Sequence, residues 1–297
     1  MVVSGKSKSS SFQSIQSITI PKRIILGVRG PEGSGKTMLG LSAAMHNKLF
    51  VQRFDTAASE GPISVVQAHG VENIVVSTYD FDVAKQYASD SLLKGGETDK
   101  EKRAKAKLAE DAQGEASVEF ERFEKELTEA VKDHYDIMWD TGTEQWESLR
   151  LAEFGKSAQV PQMFYERANR RMMHNFNKVV FSPQSLIVIH EMSPKWVKDI
   201  SGKSSKSNTY EPRGFERLCG TDVLAGYLPA VVVQTYRGGK VLDLREEPED
   251  DGLFYFRILK CNTNGKADLV GQDIPIVDPL EGFNTLGQLI FEDEWGE

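Results

Sequence analysis

The chain has 297 residues and a net charge of −8, with 39% hydrophobic and 27% charged residues. Such a chain can bury a substantial core without disulfide staples. Its two cysteines have no metal-ligand spacing and fit a reducing cytosol. No apolar run approaches the roughly 20 residues that cross a bilayer. We therefore expect a cytoplasmic protein (in the host cytoplasm if viral) with no membrane partner. The negative net charge disfavours nucleic-acid binding without excluding it, because such binding needs only a local basic stripe.

The first 18 residues are rich in Ser, Lys and Gln, which is typical of a flexible arm. This arm is either disordered or docks on a neighbouring subunit through Phe12 and Ile15. Beyond it, short apolar runs alternate with helical patterns and predict an α/β fold with a β-hairpin-rich C-terminal edge. Strands are expected at 23–28, 49–54, 73–78, 135–140, 184–190, 230–236, 241–244 and 253–261, and helices at 36–47, 81–93 and 120–131, with a further helical stretch around Arg167, Arg170 and Arg171.

Composition divides the chain into an arm (1–18), a core (19–270) and an acidic C-terminal tail (271–297). Within the core, residues 95–116 are charged and almost free of large apolar groups, so we expect an exposed insertion, either helical or disordered. Helical periodicity returns with an apolar face formed by Phe120, Phe123, Leu127 and Val131. Residues 193–217 form a second distinctive segment, a loop rich in Lys, Ser and Gly.

The sharpest motif is the sequence GPEGSGKT, between a predicted strand and a predicted helix. It matches the phosphate-binding loop G-x-x-x-x-G-K-[ST] in its required context. Glycines let the backbone N–H groups converge on phosphates, and the N-terminus of the next helix favours anions. Lys36 should reach the β- and γ-phosphates, and the Thr37 hydroxyl should ligate Mg²⁺. The residues expected to bind ATP are Gly30, Pro31, Glu32, Gly33, Ser34, Gly35, Lys36, Thr37 and Met38.

A second nucleotide element is expected at the carboxyl end of the strand 135–140. Asp140 stands where a carboxylate that orders the waters of Mg²⁺ belongs, although an acidic residue also commonly caps a strand. No glutamate follows it, because the next residue is Thr141. The carboxylate that activates water must therefore come from elsewhere, or turnover is slow. Asp55 and Glu60 are the candidates, Glu144 is a weaker third, and each is equally explained as a loop carboxylate.

With GPEGSGKT, FDT at 54–56, YDIMWDTGT and LIVIHE in this order, the chain resembles the RecA-like core ATPases of phages. These are the phage nucleotide-binding proteins grouped with single-strand annealing recombinases. The resemblance runs from about residue 23 to about 266. It implies a mainly parallel central sheet, in which the strand ending at His190 separates the phosphate-loop strand from the Asp140 strand. It also implies ATP binding between subunits of a ring or filament, and a role on single-stranded DNA in recombination, annealing or repair.

The chain departs from this family at one position. RecA-like proteins place the water-activating Glu two residues beyond the Asp that ends the second strand, and here that position is Ala57. A single-stranded-DNA-binding protein is a further candidate partner. His190 and Glu191 close a core strand at a position suited to sensing the γ-phosphate, without forming a metal motif.

Basic residues near aromatic ones suggest where DNA binds. In RecA-like proteins the loop after the His190 strand binds DNA, and phosphates pair with Lys while bases stack on rings. The alternative is a solvated surface loop. The candidate DNA-binding residues are Lys195, Trp196, Lys198, Lys203, Lys206 and Arg213. Arg257 and Lys260 in the last hairpin either reach a neighbour's γ-phosphate in trans or are ordinary strand surface charges.

Three functions therefore compete. The first is an oligomeric RecA-like recombination ATPase, which uses ATP and Mg²⁺. The second is a small-molecule or nucleoside kinase with the same phosphate loop, although the chain lacks an Arg-rich lid pattern. The third is a nonenzymatic, ATP-gated scaffold of a replication or recombination complex. Nucleotide-dependent DNA binding separates the first from the second, and phosphate release separates the first from the third.

Overall fold

Most of the predicted apolar runs form strands. The computed structural model describes residues 21–54, 60–81, 98–155, 165–198, 204–212, 228–238 and 252–296, with the backbone alone at 60–62, 101, 105, 193–198 and 204–212. The strands are β1 (Ile25–Arg29), β2 (Leu49–Arg53), β3 (Ile74–Thr78), β4 (Asp136–Asp140), β5 (Leu186–His190), β6 (Met192–Lys198), β7 (Ser204–Pro212), β8 (Val231–Arg237), β9 (Phe254–Cys261) and β10 (Asp273–Ile276).

Eight of these strands make one sheet in the order β10-β9-β8-β1-β5-β4-β2-β3. The strands from β8 to β3 pair in parallel, and β9 and β10 add an antiparallel edge. Every residue of β2, β4 and β5 is buried, as expected for parallel strands covered on both faces. The predicted α/β class is confirmed, and β5 lies between β1 and β4 as the resemblance implies.

The described residues form six α-helices that flank the sheet: α1 (Lys36–Leu41), α2 (Glu60–Ala68), α3 (Asp99–Lys132), α4 (Gly142–Phe154), α5 (Glu166–Val180) and α6 (Gly282–Phe291). The first is shorter than the predicted 36–47 helix, because a 3₁₀ turn replaces it over Ser42–Met45. None of the described helices is both long and apolar enough to span a bilayer.

The core has two layers, one on each face of the sheet. Alternate strand residues point to opposite faces, so Ile137 and Trp139 of β4 join one layer and Met138 joins the other. The first layer packs against α3, α4 and α5. The second packs against α1, α2 and α6. The parallel strands end at one edge of the sheet. The residues predicted to bind the nucleotide lie at this edge.

The charged segment 95–116 is helical over its described part and belongs to α3, a 34-residue helix. The prediction that this segment is exposed is wrong for Ala112 and Ala116, which are buried. They extend the apolar stripe of Phe120 and Phe123 by single turns toward the N-terminus. Alanines bring α3 close to α4, where the Ser117 hydroxyl donates to the Ala152 carbonyl at 3.1 Å. The sequence analysis considered only large apolar residues in this segment, so it missed an apolar stripe formed by alanines.

The segment 271–297 is not simply an acidic tail, because it contains β10 and α6. Phe283, Leu286 and Ile290 are fully buried at helical spacing. The Phe283 N–H donates to the Ser42 hydroxyl at 2.9 Å, which joins α6 to the end of α1. The one run of consecutive acidic residues in this segment, Glu292–Glu294, follows α6 and is exposed. The sequence analysis was based on the acidic residues at the end of this segment and missed the helical spacing of apolar residues just before them.

The basic segment 193–217, expected as a loop, contains a β-hairpin instead. Strands β6 and β7 pair antiparallel as a separate two-stranded sheet, with a register shift between Pro194 and Trp196. Residues 199–203 and 213–217 lie outside the described ranges. So do the arm 1–18, most of the predicted helix 81–93, the predicted strand 241–244 and Cys219. Cys261 is a buried free thiol.

Asp136, at the amino end of β4, should make stability depend on pH. Burial raises the pKa of Asp136 to about 6, against a hydrogen bond from the Ser185 N–H at 2.8 Å that favours the charged form. The folded state therefore holds this proton more tightly than the unfolded state does. Stability should fall as pH rises from about 4 to about 6 and stay lower above that.

The variant Asp136→Asn should lose this pH dependence, because an amide oxygen still accepts from Ser185 and carries no charge. Two pKa units correspond to at most about 3 kcal/mol, so the variant should be more stable than wild type at pH 7 by up to that amount. Urea unfolding at pH 4 and pH 7 measures this, with exposed Asp133→Asn as control. An unchanged pH dependence in Asp136→Asn would show that the carboxyl titrates normally.

Candidate nucleotide site

The phosphate loop connects β1 to α1, the context that the motif requires. Gly33 and Gly35 have φ angles of +72° and +87°, in the left-handed region that favours glycine. Gly35 is the residue before α1, and a Cβ there would lie 3.1 Å from the ring of Phe254. The two glycines therefore allow the chain to turn tightly from the strand into the helix.

Strand β8 holds this loop in place. The Ser34 and Thr235 hydroxyls share a buried hydrogen bond of 2.7 Å. A Cβ on Gly30 would lie 2.5 Å from the Thr235 carbonyl oxygen, so only glycine fits this approach. The sequence analysis missed Thr235. The signal was a polar pair, Gln-Thr, near the carboxyl end of an otherwise apolar strand.

Lys36 lies against its own loop. Its ammonium donates to the carbonyl oxygens of Gly30 and Pro31, at 2.9 and 2.7 Å. Burial lowers the pKa of Lys36, and the negative charges of Asp140, Glu191 and Glu32 act in the opposite direction. Carboxylates from the loop, from β4 and from just after β5 thus act electrostatically on one half-buried cation. A phosphate group could replace the carbonyl oxygens as its partner.

Asp140 ends β4 at the same sheet edge and is 3% exposed. The peptide bond that follows it is cis. The Thr141 hydroxyl then accepts from the Glu144 N–H at 3.1 Å and caps α4. Thr37 lies half-buried in the first turn of α1.

Thr37 and Asp140 supply hard oxygen donors of the kind Mg²⁺ prefers. The described residues contain no group of three His, Cys, Asp or Glu side chains that could hold a metal. Beside a nucleotide, Mg²⁺ needs only one or two protein groups, since phosphates and water complete its shell. The donor set therefore fits a nucleotide-bound Mg²⁺ better than a site built by protein alone.

His190 and Glu191 lie between these two elements. In the β1–β5 register, Arg29 pairs with His190, so Glu191 follows at the level where the phosphate loop begins. His190 is fully buried, and a Cβ on Gly142 would lie 3.2 Å from its ring. The Glu191 N–H donates to the Thr143 hydroxyl at 3.1 Å. The start of α4 thus packs against the end of β5.

The other candidate carboxylates are less defined. Asp55 and Ala57 lie outside the described residues. Glu60 is the first residue of α2, where the structure describes the backbone alone. Glu144 belongs to the first turn of α4. The roles of Asp55 and Glu60 in water activation stay predictions.

The basic hairpin formed by β6 and β7 begins directly after Glu191. Its first residue therefore lies at the sheet edge where the parallel strands end, beside the phosphate loop. Trp196 pairs with Lys206 and Lys198 with Ser204 along the backbone. Lys195 lies within β6, while Lys203 and Arg213 lie outside the described residues.

The two trans-acting candidates make contacts within their own chain. The Arg257 Nε donates to the Asp273 carboxylate at 2.7 Å, and the Lys260 ammonium donates to the Pro229 carbonyl at 2.7 Å. Through β8, Arg257 lies level with Arg29 at the end of β1, whereas Lys260 lies further from that edge. A role in trans, which stays a prediction, would require Arg257 to leave its ion pair.

No model of a known protein family matches the sequence, and a search of curated proteins found no match either.

Proposed function

We propose that this chain is a RecA-like ATPase that binds ATP with Mg²⁺ and acts on single-stranded DNA in recombination, annealing or repair. The observation that carries the proposal is the GPEGSGKT loop between β1 and α1, with the Lys36 ammonium held at the loop and Asp140 acting on it from β4. This loop chemistry recognises the phosphates of a nucleoside triphosphate.

Each group has a defined task in this proposal. Backbone N–H groups and Lys36 bind the phosphates, and the glycines Gly33 and Gly35 keep the loop open to them. Thr37 and Asp140 would hold Mg²⁺, directly and through its waters, and the ion would neutralise the phosphate charge. The hydrogen bond between Ser34 and Thr235 keeps the loop in one shape and so limits the ordering that binding requires.

The strand order supports the RecA-like assignment. The phosphate-loop strand and the Asp140 strand are separated by one strand, and that strand continues directly into the basic hairpin. Nucleotide groups and DNA candidates thus emerge from neighbouring points on one sheet edge. This arrangement favours coupling of ATP to DNA.

Calorimetric titration of the full chain with ATP and MgCl₂ tests the nucleotide part. The proposal expects saturable binding with one site per chain, and weaker binding when EDTA removes the metal. Heat signals no larger than those of dilution would exclude an ATP site.

The basic hairpin gives a separate prediction about DNA. Replacing Lys195, Lys198, Lys203 and Lys206 together by Ala should weaken single-stranded DNA binding and flatten its salt dependence. Each lost phosphate contact lowers the slope of log K against log salt by roughly 0.7, so four contacts account for about 3 units. Trp196→Ala should instead cost on the order of 1–3 kcal/mol through lost base stacking, with little change of slope.

Filter binding or gel shift at several salt concentrations measures both effects. ATP binding should survive in both variants, because the hairpin supplies no phosphate-loop group. Unchanged DNA affinity in the quadruple variant would leave the hairpin a solvated surface, and it would favour the kinase or scaffold functions.

A further inference from the structure

The proposed ATPase needs a carboxylate that activates water, and Ala57 occupies the position where RecA-like proteins carry it. The sheet order points to another source. Strand β5 is the direct neighbour of β1, whereas β2 lies three strands away in the order β1-β5-β4-β2. Strands are about 4.8 Å apart, so a group after β5 begins about 10 Å closer laterally to the phosphate loop than one after β2.

Glu191 is the acidic residue at that place. Its neighbour His190 pairs in register with Arg29, the last residue of β1, so the Glu191 side chain begins at the level of the phosphate loop. His190 is fully buried, but Glu191 is only half-buried and remains in reach of water. A water-activating group needs both access to water and nearness to the phosphates.

The backbone of Glu191 is held by the start of α4. Its N–H donates to the hydroxyl of Thr143, a residue that is 1% exposed. Thr143 follows Asp140 by three residues and is the second residue of α4. The start of α4, which directly follows the proposed metal carboxylate Asp140, therefore also holds the backbone of Glu191. A catalytic group gains from such support, because less ordering is needed in the transition state.

Charge interactions also connect Glu191 to the phosphate position. Asp140 has the largest opposing effect on the pKa of Lys36, Glu191 the next and Glu32 the third. Asp140 is assigned to the metal, and Glu32 is an exposed residue of the loop itself. Of these three, Glu191 is the one that lies outside the loop and is not assigned to the metal.

We propose that Glu191 is the carboxylate that takes a proton from the attacking water during ATP hydrolysis. The water oxygen bonds to the γ-phosphorus while the bond from that phosphorus to the β–γ bridging oxygen breaks. The water's proton passes to a carboxylate oxygen of Glu191, which then releases it to solvent. The products are ADP and inorganic phosphate. This role rests on the proposed ATPase function and replaces Asp55 and Glu60 as the source of the carboxylate.

The test compares Glu191→Gln with wild type in phosphate release at saturating ATP and in calorimetric ATP binding without turnover. General-base loss should lower turnover by at least about 100-fold. The ATP dissociation constant should not rise, because the variant removes a negative charge near the phosphates. A group that merely shaped the site would change binding as well. Glu129→Gln is the matched control. Glu129 is exposed near the end of α3, which leads into the amino end of β4 at the sheet edge opposite the phosphate loop.

The conservative variant Glu191→Asp shows whether a loss of turnover comes from the position of the carboxylate or from a loss of charge or of folding. It keeps the charge and withdraws the carboxylate by one methylene, so turnover should again fall, with an unchanged melting temperature. Wild-type turnover in either Glu191 variant would overturn the proposal. So would a wild-type chain that binds ATP without hydrolysing it, or a large loss in Asp55→Asn or Glu60→Gln that Glu191→Gln does not show. A wild-type chain that fails to bind ATP would instead refute the proposed function itself.

Discussion

Replacing Lys36 by Ala should abolish tight ATP binding while the chain stays folded. The ammonium is the one side-chain cation of the phosphate loop, and charge-assisted hydrogen bonds to phosphate oxygens contribute about 1.5–3 kcal/mol each. Loss of two such bonds corresponds to an affinity roughly 100-fold weaker or more. Calorimetry with ATP and MgCl₂ measures the change.

The fold should tolerate the substitution because Lys36 is half-buried and, among the described residues, its ammonium donates only to carbonyl oxygens of its own loop. Water can reach the exposed side of that loop and satisfy these oxygens. The melting temperature should therefore shift by no more than a few degrees. The exposed Lys125→Ala on α3 is the matched control and should bind ATP as wild type does. Retained ATP affinity in Lys36→Ala would remove the loop from the nucleotide site.

Asp140→Asn should lose Mg²⁺-dependent turnover while nucleotide binding is largely kept. The side chain is 3% exposed at the end of β4, and the amide preserves its shape without the charge that orders the metal's waters. Groups that orient metal ligands typically contribute 10–100-fold to metal affinity or activity, so a loss of about that size is expected. Phosphate release measured against Mg²⁺ concentration should show a higher metal requirement.

The control for this variant is Asp133→Asn, an exposed turn residue at the opposite edge of the sheet. It should match wild type in turnover and in metal dependence. Wild-type behaviour of Asp140→Asn would place the metal carboxylate elsewhere. It would also weaken the comparison with RecA-like proteins, which depends on the Asp140 strand.

The parts of the fold that followed from sequence are those in which local pattern and burial agree. The strand before GPEGSGKT and the strand ending at Asp140 are short runs with an apolar centre, and each lies almost wholly buried among parallel strands. Lys36 follows one of these strands and Asp140 ends the other. Because the carboxyl ends of parallel strands lie at the same sheet edge, both residues were expected there. The place of β5 between them came from the resemblance, since periodicity says nothing about the order of strands.

The remainder depends on contacts between distant residues. Thr235 supports the phosphate loop 201 residues away from Ser34, and only the folded sheet brings the two hydroxyls together. The basic segment looked like a loop because Lys, Ser and Gly are poor strand formers, yet backbone pairing made it a hairpin. In α6, tertiary burial of Phe283 and Ile290 outweighed the acidic composition around them.

The most direct test of the central claim is a gel-shift titration of labelled single-stranded DNA with the wild-type chain, with and without ATP and Mg²⁺. An ATPase that acts on DNA must couple its two ligands, and coupling free energies of about 1–3 kcal/mol change affinity roughly 5- to 150-fold. We predict a shift of that size when ATP is present, and its disappearance in Lys36→Ala. Absence of DNA binding, or equal affinity with and without ATP, would contradict the account.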